Sequence, residues 1–270
     1  MTQAGVLLKE ASRRISRSDA RIVLAHLAGT TREALIMHPE MPVPADIETA
    51  FESAVDKIAR GCPVAYVTHR REFWSRPFFV SPAVLVPRPE TETLVEEALA
   101  AIDARGCQTV ADLGTGSGIV AVTIALEAPE TRVTATDASP GALEVARINA
   151  RKLGAQIEFL EGSWFAPLAG RRFDLIVSNP PYIASGDPHL ANLTFEPQGA
   201  LASGDDGLDD IRLIAAHAPE HLVRGGMLLL EHGYDQGEAV REILRSSGFA
   251  DIRTVRDLAQ IERVSCARLA

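Results

Sequence analysis

Between two apolar stretches the chain carries Gly114-Thr115-Gly116-Ser117-Gly118, and this short run constrains everything around it. Val110 to Leu113 reads as a buried strand, and Ile119 to Leu126 reads as the helix that follows. Glycines permit positive φ and close backbone approach, so a ligand can lie against such a turn at the helix N-terminus. The dinucleotide fingerprint G-x-G-x-x-G would need glycine at Ile119, so the spacing favours a different nucleoside ligand. The next strand, Arg132 to Thr136, ends at Asp137. That is roughly 20 residues on, where a carboxylate meets ribose hydroxyls in such folds. Asp137 can also cap the helix that opens at Ser139-Pro140, and one carboxylate can do both.

Alternation continues on either side. Strands are expected near 109–113, 132–137, 156–160, 173–178, 226–232, 250–256 and 262–269, with helices between most of them and one before them from Thr91 to Ala104. This pattern means an α/β fold with a mostly parallel, doubly wound sheet. The last two strands have no helix between them and imply an antiparallel hairpin at one edge. Residues 1–60 have helical periodicity: Val6-Leu7-Leu8, Ala11 and Ile15 form one apolar stripe, Ile22-Val23 and His26-Leu27 another. Ser18-Asp19 is the expected cap of the second helix, and Pro42-Val43-Pro44 precedes a helix from Ala45 to Ala59. Residues 61–88, with Phe73-Trp74, Pro77-Phe78-Phe79 and Val84-Leu85-Val86-Pro87, read as a β-hairpin linker. The expected domains are therefore a helical docking unit at 1–60, the linker at 61–88 and the main domain at 89–270.

Asn179-Pro180-Pro181-Tyr182 follows the apolar run from Phe173 to Ser178, where a buried strand should end. Two prolines lack N–H donors and have fixed φ, so they make a stiff turn that stops the ladder. Asn179 and Tyr182 are thus held at the carboxyl end of a strand, where open α/β sheets place ligands. The Asn oxygen and adjoining backbone carbonyls can accept both hydrogens of a planar –NH2 group while the Tyr ring covers its flat face. That arrangement suits chemistry on an amide or a base amino nitrogen.

Formal charge is −9, which argues against a general nucleic-acid binder. No apolar run approaches a membrane span, and Met1-Thr2-Gln3-Ala4 does not open a secretory signal, so a cytoplasmic protein is expected. Cys62, Cys107 and Cys266 lack metal-binding spacing, and no metal is expected.

With these pieces in place the chain resembles a Class I S-adenosylmethionine-dependent methyltransferase, and more narrowly the bacterial release-factor glutamine N5-methyltransferases (the HemK/PrmC family). The resemblance is carried by Gly61 to Tyr66 with Arg71-Glu72-Phe73-Trp74, by Pro87-Arg88-Pro89-Glu90-Thr91-Glu92 and by Asp112 to Gly118. It continues through Ser178 to Tyr182, Phe195-Glu196-Pro197 and Leu230-Glu231-His232-Gly233. It implies a seven-stranded, Rossmann-like Class I sheet, an all-α N-terminal domain and a β-hairpin linker. It also implies S-adenosylmethionine as cofactor, S-adenosylhomocysteine as product, and class 1 peptide-chain release factors as partners, through the glutamine of their Gly-Gly-Gln motif. No direct nucleic-acid partner and a monomer are expected. By resemblance Gly114, Thr115, Gly116, Ser117 and Gly118 line the cofactor, Asp137 takes the ribose hydroxyls, Trp164 borders the adenine, and Asn179 to Tyr182 hold the glutamine amide. Arg88 and Glu196 are the further candidate substrate contacts. One departure is Ser163, where family members commonly carry Asp; a Ser hydroxyl there offers a hydrogen bond without charge.

An amide nitrogen is a poor nucleophile, so alignment with the sulfonium methyl is the first requirement. Asn179 Oδ1 and the Pro180 carbonyl would accept both amide hydrogens as positive charge develops, and Tyr182 would pack on the amide plane. His232 follows an apolar strand and reads as structural. Two rival readings act on related groups: a glutamine methyltransferase of a large-ribosomal-subunit protein, whose family tends to read Pro-Arg-Ser-Pro at the Pro87 segment, and an adenine-N6 DNA methyltransferase. The negative charge and the lack of a large target-recognition region oppose the second.

Overall fold

The computed structural model describes all 270 residues, Met1–Ala270, and they form two compact units, Met1–Arg70 and Arg71–Ala270. In the first unit, short strands β1 (Thr2–Gln3) and β2 (Pro42–Val43) pair antiparallel around helices α1 (Ala4–Ala11), α2 (Arg17–Leu27) and α3 (Arg32–Met37). Helices α4 (Ala45–Ala59) and α5 (Val64–Thr68) complete it. Leu7, Val23, Leu24, Leu35, Phe51 and Val55 are its fully buried centre. The cap of α2 is Ser16, whose hydroxyl accepts from Asp19 N at 3.0 Å, and not Ser18-Asp19. A capping oxygen stands two or three residues ahead of the donor it satisfies, so the bond from Asp19 N puts the cap at Ser16, and Asp19 itself supplies negative charge to the first turn.

Residues 61–88 are more varied than a hairpin linker. Helix α5 starts after Pro63 and lies in the first unit. The hairpin itself is short, β3 (Arg70–Phe73) and β4 (Arg76–Phe79). Trp74 and Ser75 form its turn at φ 51° and 55°, the pair of positive angles that matches the twist of a two-residue hairpin. Glu92 holds the turn by accepting from Trp74 N at 2.8 Å.

The second unit continues with α6 (Glu92–Arg105), β5 (Thr109–Leu113), α7 (Ile119–Glu127), β6 (Arg132–Asp137), α8 (Pro140–Leu153), β7 (Ile157–Glu161) and β8 (Phe173–Ser178). It ends with α9 (Asp209–His221), β9 (Leu222–Glu231), α10 (Gly237–Ser246), β10 (Phe249–Arg256) and β11 (Glu262–Leu269). The seven-stranded sheet has the order β10-β11-β9-β8-β5-β6-β7. Strands β7, β6, β5, β8 and β9 are parallel, and β11 runs antiparallel between β9 and β10. The expected hairpin thus occupies one edge, with its second strand inserted inside the first. Apolar residues on both faces explain the layers: Val110, Leu175, Val177 and Leu229 pack with α6 and α7, while Ala111, Leu113, Ile176 and Leu228 pack with α9 and α10. No helix is long and apolar enough to cross a membrane.

Asn149, on α8 and 1% exposed, ties three segments together. Its Oδ1 accepts from Phe79 N at 2.7 Å, and its Nδ2 donates to the carbonyls of Phe79 at 2.9 Å and Ser117 at 2.8 Å. The hairpin and the Gly-rich turn are therefore fastened to one helix. Asn149→Ala leaves three backbone groups, two of them part-buried and one buried, without this partner, at about 1–3 kcal/mol for each one that stays unsatisfied and shielded from water. A clear fall in the denaturant midpoint is expected, read by urea titration followed by circular dichroism.

Candidate active site

The Gly-rich turn leaves β5 and enters α7 with Gly114, Gly116 and Gly118 at φ 69°, 55° and 80°. Backbone donors fix it at two places. Gly114 N and Thr115 N both donate to Thr136 O, at 2.9 and 3.0 Å, and Gly116 N donates to Asp137 Oδ2 at 2.8 Å. Asp137 Oδ1 accepts from Ser139 N at 2.8 Å. Asp137 does not cap α8: Ser139 does so, accepting from Ala142 N with Pro140 in the first turn. Each Asp137 oxygen keeps a lone pair for a ligand.

The three glycines have different reasons to be bare. A Cβ on Gly114 would stand 2.9 Å from the Trp164 ring, and one on Gly116 would meet nothing within 4 Å. One on Gly118 would stand 3.0 Å from Ala146 Cβ. Gly118 therefore serves the packing of α7 on α8 and lies off the cavity, unlike Gly114, Thr115, Gly116 and Ser117, which line it. Trp164, at φ 48°, also lines it, beside Ser163.

Adjacent β8 delivers the second motif. Leu113 and Ser178 are paired across β5 and β8, and Ser178 Oγ donates to Leu113 O at 2.7 Å. The two turns consequently leave the sheet side by side. Asn179 and Pro181 line the same cavity as Asp137 and the Gly-rich turn; Pro180 is buried and off the lining. Asn179 Nδ2 donates to Thr91 Oγ1 at 3.2 Å, which leaves Oδ1 available to a ligand in the cavity.

Tyr182 differs from its expected position over a bound amide. It is not on the lining; its ring packs with the second-face core, its hydroxyl lies 3.4 Å from Glu231 Oε1, and its carbonyl accepts from Gln236 Nε2 at 3.0 Å. A buried phenol needs a polar partner, and Glu231 supplies it. Burial and the Glu231 charge raise its pKa. Glu196 also departs from expectation. It is 5% exposed, pairs with Arg88 Nη2 at 2.6 Å through Oε1 and accepts from Val86 N at 3.0 Å through Oε2. Glu196 is thus neither a solvated loop charge nor on the cavity lining; it fastens the 86–88 segment, and Arg88 reaches the wall. His232 is buried, bonded through Nδ1 to Gly233 O and through Nε2 to Ser265 Oγ, as a structural histidine should be.

Three polar residues stand within the sequence motifs but have no role assigned to them by sequence alone. Asp112, 2% exposed on the lining, accepts from Thr115 Oγ1 at 2.6 Å and from Ala121 N at 3.2 Å. Burial pushes its pKa up to about 7, with Asp137 adding to the rise and the two hydrogen bonds opposing it. Thr91, 1% exposed, accepts from Asn179 Nδ2, and fully buried Glu231 ends β9. A charged residue inside or ending an apolar strand, as in Val110-Ala111-Asp112-Leu113 and Leu228-Leu229-Leu230-Glu231, was the available signal.

The cavity measures about 480 Å³, within the usual range for a small-molecule site. Its composition fits a nucleoside with a polar tail: Asp137 for a diol, the open edge at Gly116, and apolar walls from Leu85, Ile119, Val120 and Trp164. All of its lining comes from the second unit.

Comparisons with known proteins agree with this geometry. Residues 1–68 match the PrmC N-terminal domain, and residues 91–196 match the methyltransferase small domain. A release factor glutamine methyltransferase of Xylella fastidiosa (strain Temecula1) is 50% identical over 265 residues, covering 97% of this chain and 96% of its own. Another, from Burkholderia pseudomallei, is 51% identical over 260 residues, covering 93% and 91%. Among solved structures, the 16S rRNA N2 G1207 methyltransferase of T. thermophilus, in complex with AdoMet and guanosine, shares the fold. Its TM-score is 0.57 at 20% identity, over 74% of this chain and 50% of that one. Similarity to the first two relatives over nearly the whole length, on a sheet and cavity of this form, means that the chain belongs to the release factor glutamine methyltransferases, a family of S-adenosylmethionine-dependent enzymes.

Proposed function

We propose that this protein methylates the side-chain amide nitrogen, N5, of the glutamine in the Gly-Gly-Gln motif of class 1 peptide-chain release factors. S-adenosylmethionine is the donor and S-adenosylhomocysteine the product. One observation carries the reading: Asn179, with its Oδ1 available, shares a cavity with the turn that Asp137 anchors. An acceptor for amide hydrogens and a seat for a nucleoside thus stand on neighbouring strand ends. The names of the relatives support the choice of target.

When bound, S-adenosylmethionine supplies an electrophilic methyl on a sulfonium sulfur. The residues of this chain bring the amide nitrogen to it in a fixed orientation, and held geometry of this kind removes several kcal/mol from a barrier. Asn179 Oδ1 accepts an amide hydrogen, a contact that strengthens as nitrogen becomes positive; Pro180, buried off the lining, keeps only its part in stiffening the turn. The nitrogen then releases one proton to solvent and keeps the other. Asp137 receives the ribose hydroxyls on the lone pairs left after its bonds to Gly116 and Ser139. Trp164 borders the base, and Arg88, held by Glu196, contacts the incoming chain.

Purified protein should transfer methyl groups to intact release factor and not to duplex DNA or ribosomes; transfer to either of those instead would sink the assignment. Asn179→Ala should lose on the order of 100–1,000-fold in turnover, the usual cost of removing a preorganised polar contact to developing charge. Its affinity for S-adenosylmethionine should stay close to that of the wild type, measured by calorimetric titration beside single-turnover assays.

Asp137→Ala should show the reverse pattern. Charged hydrogen bonds contribute about 1.5–3 kcal/mol each, so affinity for both S-adenosylmethionine and S-adenosylhomocysteine should fall about 10- to 100-fold. Unchanged affinity for both would reduce Asp137 to a fastener of Gly116 and Ser139.

The helical unit at 1–70 supplies no lining residue, and we assign it to docking of the release factor. A short loop around one glutamine offers little surface, and remote contacts can supply the binding energy that positions the amide. A protein lacking residues 1–70, shown by thermal melting to fold, should bind S-adenosylmethionine but methylate intact release factor poorly. Efficient methylation by the truncated protein would refute the docking role.

A further inference from the structure

Pro180 and Pro181 make the Asn-Pro-Pro-Tyr turn a stiff rod, because each ring fixes φ. A rod is aimed by what holds its two ends. The sheet holds one end: Ser178 pairs with Leu113 and with Leu230, and its Oγ donates to Leu113 O at 2.7 Å. The other end, Tyr182, lies beyond β8 and needs a different anchor.

That anchor is Gln236, the half-buried residue before α10, whose Nε2 donates to Tyr182 O at 3.0 Å. The Gln236 amide is engaged on both sides. Its Oε1 accepts from Gly233 N at 2.8 Å, which leaves Nε2 to face the turn. Nε2 also donates to Asp206 O, at 3.3 Å. An amide NH2 has two hydrogens, so both carbonyls are served at once. Gly207 makes the close approach possible: at φ 76°, a Cβ on it would stand 2.3 Å from Tyr182 O and 2.8 Å from Gln236 Nε2. Three segments thus meet on one side chain: the Asn-Pro-Pro-Tyr turn, the end of the β8–α9 connection and the turn from β9 into α10.

We propose that Gln236 is a positioning residue for methyl transfer: by fixing the Tyr182 carbonyl and bracing it against Asp206, it sets where Asn179 Oδ1 stands in the cavity. Gln236 is not on the cavity lining, whereas Asn179 and Pro181 are, so it acts through them. A shift at Tyr182 passes along the two prolines to Asn179, because neither intervening residue has a free φ to absorb it. Tyr182 therefore serves the site through its carbonyl and not as the stacking platform expected of it. The proposal rests on the reading that Asn179 Oδ1 binds the target amide.

The choice of glutamine supports a role beyond closing a turn. Oε1 alone satisfies Gly233 N, and a glutamate would supply that oxygen together with a negative charge suited to the start of α10. Only the two carbonyls, Tyr182 O and Asp206 O, require the NH2 group.

Two variants separate these roles. Gln236→Glu keeps the volume and the acceptor for Gly233 N but turns a carboxylate oxygen towards the two carbonyls. Gln236→Met removes all three bonds at similar length. Both should lower kcat for release-factor methylation by about tenfold to 100-fold, since a shift of about 1 Å in a reacting geometry can cost on the order of 100-fold. The Kd for S-adenosylmethionine should remain that of the wild type, because Asp137 and the Gly-rich turn are seated on β6 and β5. In an Asn179→Ala background, Gln236→Glu should cost little more, because its effect acts through Asn179. Wild-type kcat in Gln236→Glu, with Gln236→Met alone impaired, would confine Gln236 to the turn before α10 and overturn the proposal. A loss that multiplies fully with that of Asn179→Ala would overturn it too. If thermal melting shows that Gln236→Glu does not fold, Gln236→Met decides: wild-type kcat overturns the role, and a loss that vanishes in the Asn179→Ala background supports it. Loss of activity in Asn179→Ala with none in Gln236→Glu would reject this proposal and leave the amide-binding reading intact. Full activity in Asn179→Ala would reject both.

Discussion

Adjacency of β5 and β8 is the constraint on which the site depends. Leu113 and Ser178 are the last paired residues of these two parallel strands, and Ser178 Oγ locks the register by donating to Leu113 O. Hydrogen-bonded strands stand about 4.8 Å apart. Two turns that leave such a pair must therefore open within one small-molecule length of each other. Gly114 to Ser117 comes from one strand and Asn179 to Pro181 from the other. Strand β6, on the far side of β5, adds Asp137, and β9, on the far side of β8, adds Glu231. Four consecutive strands of the sheet thus bring Asp137, the Gly-rich turn, Asn179 and Glu231 to one end of the sheet, in that spatial order.

Most of this arrangement was legible because it is written in local patterns. Apolar runs ending in glycine, aspartate or Asn-Pro-Pro marked the carboxyl ends of β5, β6 and β8, and those three strands have the expected bounds. Helix α4 likewise runs over the expected residues, because Pro44 forces its start. What escaped was non-local. No short-range pattern says that Glu196 will meet Val86 N and Arg88 across more than a hundred residues. Nor does any spacing say that the Tyr182 phenol will turn to Glu231 and leave the cavity wall to Asn179 and Pro181. Gly118 shows the opposite difficulty. It is the third glycine of a motif, yet its missing Cβ makes room for Ala146 on α8 and none for a ligand.

These corrections share a physical theme. A polar side chain with a specific partner is absorbed by that partner, and the residue that remains available is the one whose partner satisfies only half of it. Asp137 gives one lone pair of each oxygen to backbone N–H groups and keeps the others. Asn179 gives its Nδ2 to Thr91 and keeps its Oδ1. Glu196, with one oxygen on Arg88 and the other on Val86, is committed on both sides. Half-satisfied groups on a cavity wall are a better guide to binding than motif membership.

The commitment of Glu196 limits how a substrate can enter. The connection between β8 and α9 contributes Pro197, Gly199 and Ala200 to the cavity wall, and Glu196 is its fastening. Swinging this segment aside would strip a buried carboxylate of both an N–H and a guanidinium, at a cost of about 2–5 kcal/mol. The displaced form would then be a small minority of molecules at rest. A glutamine side chain must accordingly thread into an aperture that is already framed, and a long, slender side chain on an exposed loop is suited to that passage where a bulky group is not.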